Sequence, residues 1–180
     1  MNMENINKFS TEELIQLLSP SSVIVKELAD RGVIRSKNIV GDLGEFYAIE
    51  YYDKLKGLPK LLLAAPTVKN IDAISRDGDR YSVKCVSSAK GTTGSFYSLE
   101  PPESIESNKQ KFEFLIIVIL DKSFAVEKIL ELTWEDFLKN KKWNKRMKNY
   151  NISLTNKLLK TVKTIYSKEL LTTKPRMNTN

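Results

Sequence analysis

Apolar residues recur along the chain in two periods, and the change from one to the other divides it. In GDLGEFYAIEYYDKL, Phe46, Ile49, Tyr52 and Leu55 fall three residues apart, which predicts a helix from about Gly41 to Lys56, closed by Gly57 and Pro59. Ahead of it, Ser10 and Glu13 form a capping-box pattern before Leu14, Leu17 and Leu18, so a short helix is expected over residues 11–18. Ser19-Pro20 reads as an N-cap with proline at the first position of a second helix ending near Gly32, with Val23, Ile24, Leu28 and Val33 as its apolar face. Beyond Gly57 the period shortens to two. Leu61 to Ala64 reads as a strand broken by Pro66, and Ile71 to Ser75 and Arg80 to Val86 flank Asp77-Gly78, a strong hairpin signal. Alternation puts Asp72 and Ile74 on one face of the first arm and lets Ser82 and Lys84 share a face of the second.

The second half continues as strands and short helices. Phe96 to Leu99 reads as a short strand, Phe112 to Leu120 as a central strand apolar on both faces apart from Glu113, and Phe124 to Leu132 as its partner across a tight turn. Thr133 is placed to cap a short helix holding Trp134, Phe137 and Leu138. The run KNKKWNKRMK (139–148) supports two readings: a nucleic-acid surface through Lys142, Trp143, Lys145 and Arg146, or a solvated loop or helix with Trp143 anchored in the core. An edge strand is expected over Ile152 to Leu154 and a last helix over Thr155 to Ile165, ahead of a polar, disordered tail at 172–180. The expected domains are an N-terminal helical segment (1–40) and a core (41–171).

Composition narrows the chemistry. The 180 residues contain no histidine and one cysteine, which removes Ser-His-Asp triads, histidine bases, internal disulfides and cysteine-built zinc sites. No apolar run reaches the roughly 18 residues of a membrane span, and the N-terminus has no apolar signal region, so a cytoplasmic protein without a membrane partner is expected. Lys and Arg (29) exceed Asp and Glu (22), giving a net charge of +7 that suits a polyanion. The basic cluster near the second helix, including Arg35 and Lys37, reads equally well as a solvated face or as a phosphate contact.

Phosphodiester hydrolysis without histidine requires a hard cation held by oxygen ligands. Asp72 and Glu45 are the candidate ligands, with the Val83 carbonyl as a third, and Lys84 is placed to orient water and to offset charge on the phosphate. The bland alternative stays open: Asp72 as a strand-end residue, Lys84 as its ion-pair partner, Glu45 as a helix N-terminal charge.

A helix glutamate after GDLG, a strand aspartate in IDAIS, a hairpin and then SVK resembles the PD-(D/E)XK nuclease superfamily, which includes restriction endonucleases and Holliday-junction resolvases. The wider pattern RGVIRSKNIVGDLGE…NIDAISRDGDRYSVK, from Arg31 to Val86, is similar to a family of small bacterial restriction-endonuclease-like proteins. Position 82 departs from the superfamily, with serine where an acid is usual, and position 71 is Ile in place of proline. The resemblance implies that Glu45 supplies the relocated carboxylate and that Ser82 reaches the metal through a water. It further implies an α/β fold with a restriction endonuclease-like core, a mixed central sheet flanked by helices and helices at the N-terminus. The activity implied is Mg²⁺-dependent cleavage of double-stranded DNA, with Mn²⁺ able to replace Mg²⁺, by a type II restriction-like homodimer. Arg35, Lys37, Asn38, Ser87, Ser88 and Lys90 are further candidates for DNA contact. Two alternatives remain: a nuclease fold serving as a DNA-binding or assembly subunit, and a nuclease of structured DNA or RNA in repair or defence.

Overall fold

Helix α1, Val23–Asp30, ends where Gly32 turns the chain through the left-handed region at φ +71°. The computed structural model describes residues 8, 10, 23–65, 68–88 and 91–169. The helix expected at 11–18, the Ser19-Pro20 start of α1, Pro66 and the tail at 172–180 lie outside them. The apolar face expected on α1 is not buried: Val23 and Ile24 are exposed, whereas Val33 and Ile34, just past the helix, are buried. Helix α2, Ile39–Lys54, starts two residues earlier than its apolar pattern suggests. Buried Asp42 ties the preceding loop to its first turn, with Oδ2 accepting the Arg35 (2.8 Å) and Ser36 (2.6 Å) N–H groups and Oδ1 accepting the Ser36 hydroxyl (3.1 Å). Two units meet in sequence within α2, 1–43 and 44–180, and the sheet belongs to the second.

In that second unit the buried positions of α2 are Gly44, Ala48 and Tyr52, spaced by four, and not the set spaced by three. A Cβ at Gly44 would lie 2.5 Å from the Cys85 Cβ, so the helix approaches the sheet more closely than a side chain permits. Small residues therefore choose the packed face, and the larger Phe46 and Ile49 are left half-buried beside it.

The strands are β1 (Leu61–Leu63), β2 (Ala73–Ser75), β3 (Arg80–Val86), β4 (Phe114–Leu120) and β5 (Val126–Thr133). Helix α3 (Trp134–Asn140), a hairpin of β6 (Lys141–Asn144) and β7 (Asn149–Ile152), helix α4 (Asn156–Thr161) and β8 (Lys163–Ser167) follow. Six strands form one mixed sheet in the order β1-β2-β3-β4-β5-β8, with β3 and β4 parallel and every other neighbour antiparallel. The fold is thus α/β with a mixed central sheet flanked by helices. β4 (FLIIVIL) is buried from Leu115 to Leu120, as its unbroken apolar run requires. The expected β2–β3 hairpin forms, with Gly78 at φ +93° in its turn. Thr133 and Asp136 close a full capping box at α3.

Three expectations fail. Phe96 to Leu99 makes no strand; Phe96 contributes one isolated bridge to Tyr150. Of the basic run, Lys139 and Asn140 end α3 and the remainder forms β6 and the turn to β7, with Trp143 packed half-buried against the core as one reading expected; Ile152 pairs with Lys141 inside this hairpin, not at an edge of the main sheet. The last helix stops at Thr161, and Lys163–Ser167 pairs with β5, where the β-branched Thr164 and Ile165 pack better in a pleat than on a helix.

Two polar ties lock the sheet. Buried Glu131 on β5 accepts the Tyr52 hydroxyl (2.5 Å) and the Lys163 ammonium (2.7 Å), joining α2, β5 and β8. Glu113 accepts the Arg80 guanidinium (2.6 and 3.0 Å) and the Arg80 N–H (2.7 Å), pinning the start of β3 to that of β4. Hydrogen bonding from Arg80 holds the Glu113 carboxyl below its ordinary range.

Gly44→Ala is expected to lower stability, because overpacking costs about 1–3 kcal/mol while the gain in helix propensity is at most about 1 kcal/mol; an unchanged urea midpoint would refute the close approach. Glu113→Gln tests the second tie. A carboxyl depressed in the folded state stabilises fully above its unfolded pKa of about 4.3 and loses that contribution as pH falls through the lowered value. The wild-type advantage over Glu113→Gln in urea midpoint should therefore be present at neutral pH and vanish in acid.

Candidate active site

Asp72 stands one residue ahead of β2, opposite Ser82 when the β2–β3 register is continued by one pair. Its peptide already takes part in both ladders, since its N–H donates to the Tyr81 carbonyl (2.8 Å) and its carbonyl accepts the Ala64 N–H (3.0 Å). The carboxylate then adds a further rung. Oδ2 accepts the Val83 N–H at 2.6 Å and the Ser82 hydroxyl at 3.1 Å. Charge-assisted bonds of this kind fix a side chain firmly, so Asp72 is positioned by β3 itself. Oδ1 accepts no hydrogen bond among the described residues. A strand residue turns its N–H and C=O to the same edge, so the Val83 carbonyl lies along the edge that the carboxylate occupies.

Lys84 is half-buried on the same face of β3 as Ser82, two residues on. Its ammonium sits over the Phe96 ring, 4.9 Å from the centroid, and it makes no ion pair among the described residues. The ion-pair reading of Asp72 and Lys84 is thereby removed. Ser82 is fully buried and its hydroxyl is spent on Asp72, so its contact is with the carboxylate directly.

Glu45 follows the Gly44 that lies on Cys85, and Cys85 points to the face opposite Lys84. Asp72, Ser82 and Lys84 thus share one face of the hairpin while α2 covers the other, where Tyr52 meets the Tyr81 ring edge-on (5.9 Å). Glu45 is half-buried. Among the described residues no three His, Cys, Asp or Glu side chains converge as a metal cage. The oxygens on the β3 edge, Asp72 Oδ1 and the Val83 carbonyl, still suit a hard cation of the Mg²⁺ kind, which takes one or two carboxylates and fills its remaining positions with water and phosphate.

The DNA-contact candidates fall into separate groups. Arg35, Lys37 and Asn38 are exposed in the first unit, where Asn38 also accepts the Gly41 N–H (3.1 Å) as a helix cap. Ser87 and Ser88 are exposed just past β3, and Lys90 lies outside the described residues. Lys142, Lys145 and Arg146 are exposed on the β6–β7 hairpin, with Trp143 half-buried between them. Burial pushes the one thiol, Cys85, up to about 12, so it is an inert packing residue. Sequence reasoning missed Phe96 as the seat of Lys84, since the two meet through a crossover that leaves no mark in local spacing. It also missed Glu131, although a lone acid inside the apolar run ILEL was a usable signal of a buried partner.

No family model and no curated protein matches the chain.

The geometry separates the structural part of Asp72 from its charge. Asp72→Asn keeps an oxygen to accept the Ser82 and Val83 donors and should shift the urea midpoint little. Asp72→Ala orphans both donors and should cost about 1–3 kcal/mol. Equal stability of the two variants would refute the carboxylate rung.

Proposed function

We propose that the protein is a metal-dependent endonuclease that hydrolyses phosphodiester bonds in double-stranded DNA, with Mg²⁺ or Mn²⁺ as cofactor, acting as a type II restriction-like homodimer because one such site cuts one strand. One observation carries this reading: Asp72 is docked rigidly by two β3 donors with Oδ1 turned to no protein donor, while Lys84 shares its face and pairs with no carboxylate. A buried or half-buried lysine and aspartate that decline to neutralise one another are placed to serve a third party. Asp72 Oδ1 and the Val83 carbonyl would hold the cation, with Glu45 as the further carboxylate. Bound there, the ion supplies the charge that polarises phosphate and acidifies a water.

The chain's own residues do the rest. Ser82 and Val83 orient the Asp72 carboxylate before substrate arrives. The Lys84 ammonium, held on Phe96 by cation–π attraction, is free to offset charge that grows on the phosphate oxygens. Arg35, Lys37 and Asn38 in the first unit, and separately the exposed cations of the β6–β7 hairpin in the second, are the candidate contacts to the backbone, and the net charge of +7 suits that partner.

A second reading is favoured by one specific feature, the burial of Ser82 in the place of an acid. In it the same fold binds DNA without cutting it.

Cleavage of supercoiled plasmid in Mg²⁺, Mn²⁺ or EDTA decides between them. Wild type should nick in either metal and not in EDTA, and Asp72→Asn and Lys84→Met should each lower the rate about 10²-fold or more. Binding of DNA by wild type with no cleavage in any metal would overturn the enzyme reading in favour of the second.

A further inference from the structure

The β6–β7 hairpin and the crossover segment between β3 and β4 line an open pocket of about 440 Å³, bordered by Leu99, Pro101, Glu103, Trp143, Lys145 and Lys148. Its size is that of cavities that take small organic ligands. Both walls are braced. Asn144 Oδ1 accepts the N–H groups of Arg146 (3.1 Å) and Met147 (3.0 Å), and Asn149 Nδ2 donates to the Met147 carbonyl (3.3 Å), so the turn carrying both lysines is held from beneath. Lys141, whose ammonium lies over the Tyr150 ring at 4.4 Å, donates to the Ser107 carbonyl (2.8 Å) and Asn108 Oδ1 (3.1 Å), joining the hairpin to the opposite wall. Tyr150 meets the Trp143 indole edge-on at 4.9 Å and fixes its plane.

The lining makes three chemical demands at once. Trp143 with Leu99 and Pro101 asks for a flat apolar ring. Lys145 and Lys148, both exposed at the rim, ask for negative charge. Glu103, an acceptor only, asks for N–H donors on the edge of the ring. A nucleotide satisfies all three, with its base against the indole and its phosphates at the lysines. Among the bases, guanine alone offers two adjacent donors, N1–H and the 2-amino group, whereas adenine and cytosine set a lone pair beside their amino group and thymine has one N–H.

The geometry points to a recognition site for an unstacked guanine of a nucleic-acid strand, stacked on Trp143, read by Glu103 and held by Lys145 and Lys148. It rests on the nuclease reading only in taking nucleic acid as the partner.

The test is fluorescence anisotropy in EDTA with a labelled oligothymidine, compared with the same strand carrying one central guanine or one central adenine. Wild type should bind the guanine strand about tenfold more tightly than the other two, the scale of one good base contact. Glu103→Ala should abolish that preference, so that the guanine strand, the adenine strand and oligothymidine bind alike. Trp143→Leu should weaken every strand about tenfold, whereas Trp143→Phe, which keeps an aromatic face, retains most of the affinity and guards against a folding defect. Lys145→Ala with Lys148→Asn should weaken every strand and flatten the salt dependence; asparagine is chosen because Lys148 sits at φ +48°. Equal wild-type affinity for the three strands, no binding, or a preference that survives Glu103→Ala would each overturn the site. Asp72→Asn should keep the preference intact, so loss of cleavage and loss of guanine reading are separable results.

Discussion

Strand β4 is hydrogen-bonded along both edges and buried from Leu115 onward, and the other strands of the main sheet are arranged around that constraint. A strand with no exposed side tolerates only apolar residues, so polar groups must enter the sheet through its neighbours. They do so at defined positions: Arg80 and Ser82 on β3, Glu131 on β5, each with a partner at hand. The parallel pairing of β3 with β4 also forces a long connection between them. That connection carries Phe96 to Lys84 and Glu103 to the β6–β7 hairpin, so the same constraint that hides the core assembles both polar sites.

Within the hairpin, the division of labour is between the two faces. Cys85, Tyr81 and Val83 face α2, where the Gly44 approach leaves no room for a side chain. Ser82 and Lys84 face the other way, and Asp72 joins them by laying its carboxylate on β3. One charge is thus built into the hydrogen-bonding pattern of the sheet and the other is left over an aromatic ring. The two charges of the face are held by separate partners and not by each other.

Much of this was legible in the chain. The Asp-Gly turn between two alternating runs specified the β2–β3 hairpin and hence the Asp72, Ser82 and Lys84 face, because a period of two leaves no freedom about which side a residue takes. The Thr133 cap and the apolar β4 were equally plain. What escaped was settled by packing between distant segments. The three-residue spacing of Phe46, Ile49 and Tyr52 described an apolar surface on α2, but the small Gly44 and Ala48 decide which side meets the sheet. Thr155 to Ile165 looks helical until its second half finds an open edge of β5. The basic run 139–148 hid a hairpin because Lys141 and Trp143 share a face only once they stand over Tyr150, and charge density masked that alternation.

The crossover has a consequence in time. The β2–β3 and β4–β5 pairs are neighbours in sequence and close with short loops, whereas β3 and β4 meet only after residues 87–113 have been gathered in. Loop-closure entropy makes the near pairs cheap and the far pair dear, so the local hairpins are the early structures and the parallel seam the late one. The Asp72 rung, confined to one hairpin, belongs to the early set. Lys84 acquires its seat on Phe96 only when the seam and the crossover have settled, so the chain assembles the anchored half of its charged pair before the half that waits on an aromatic ring.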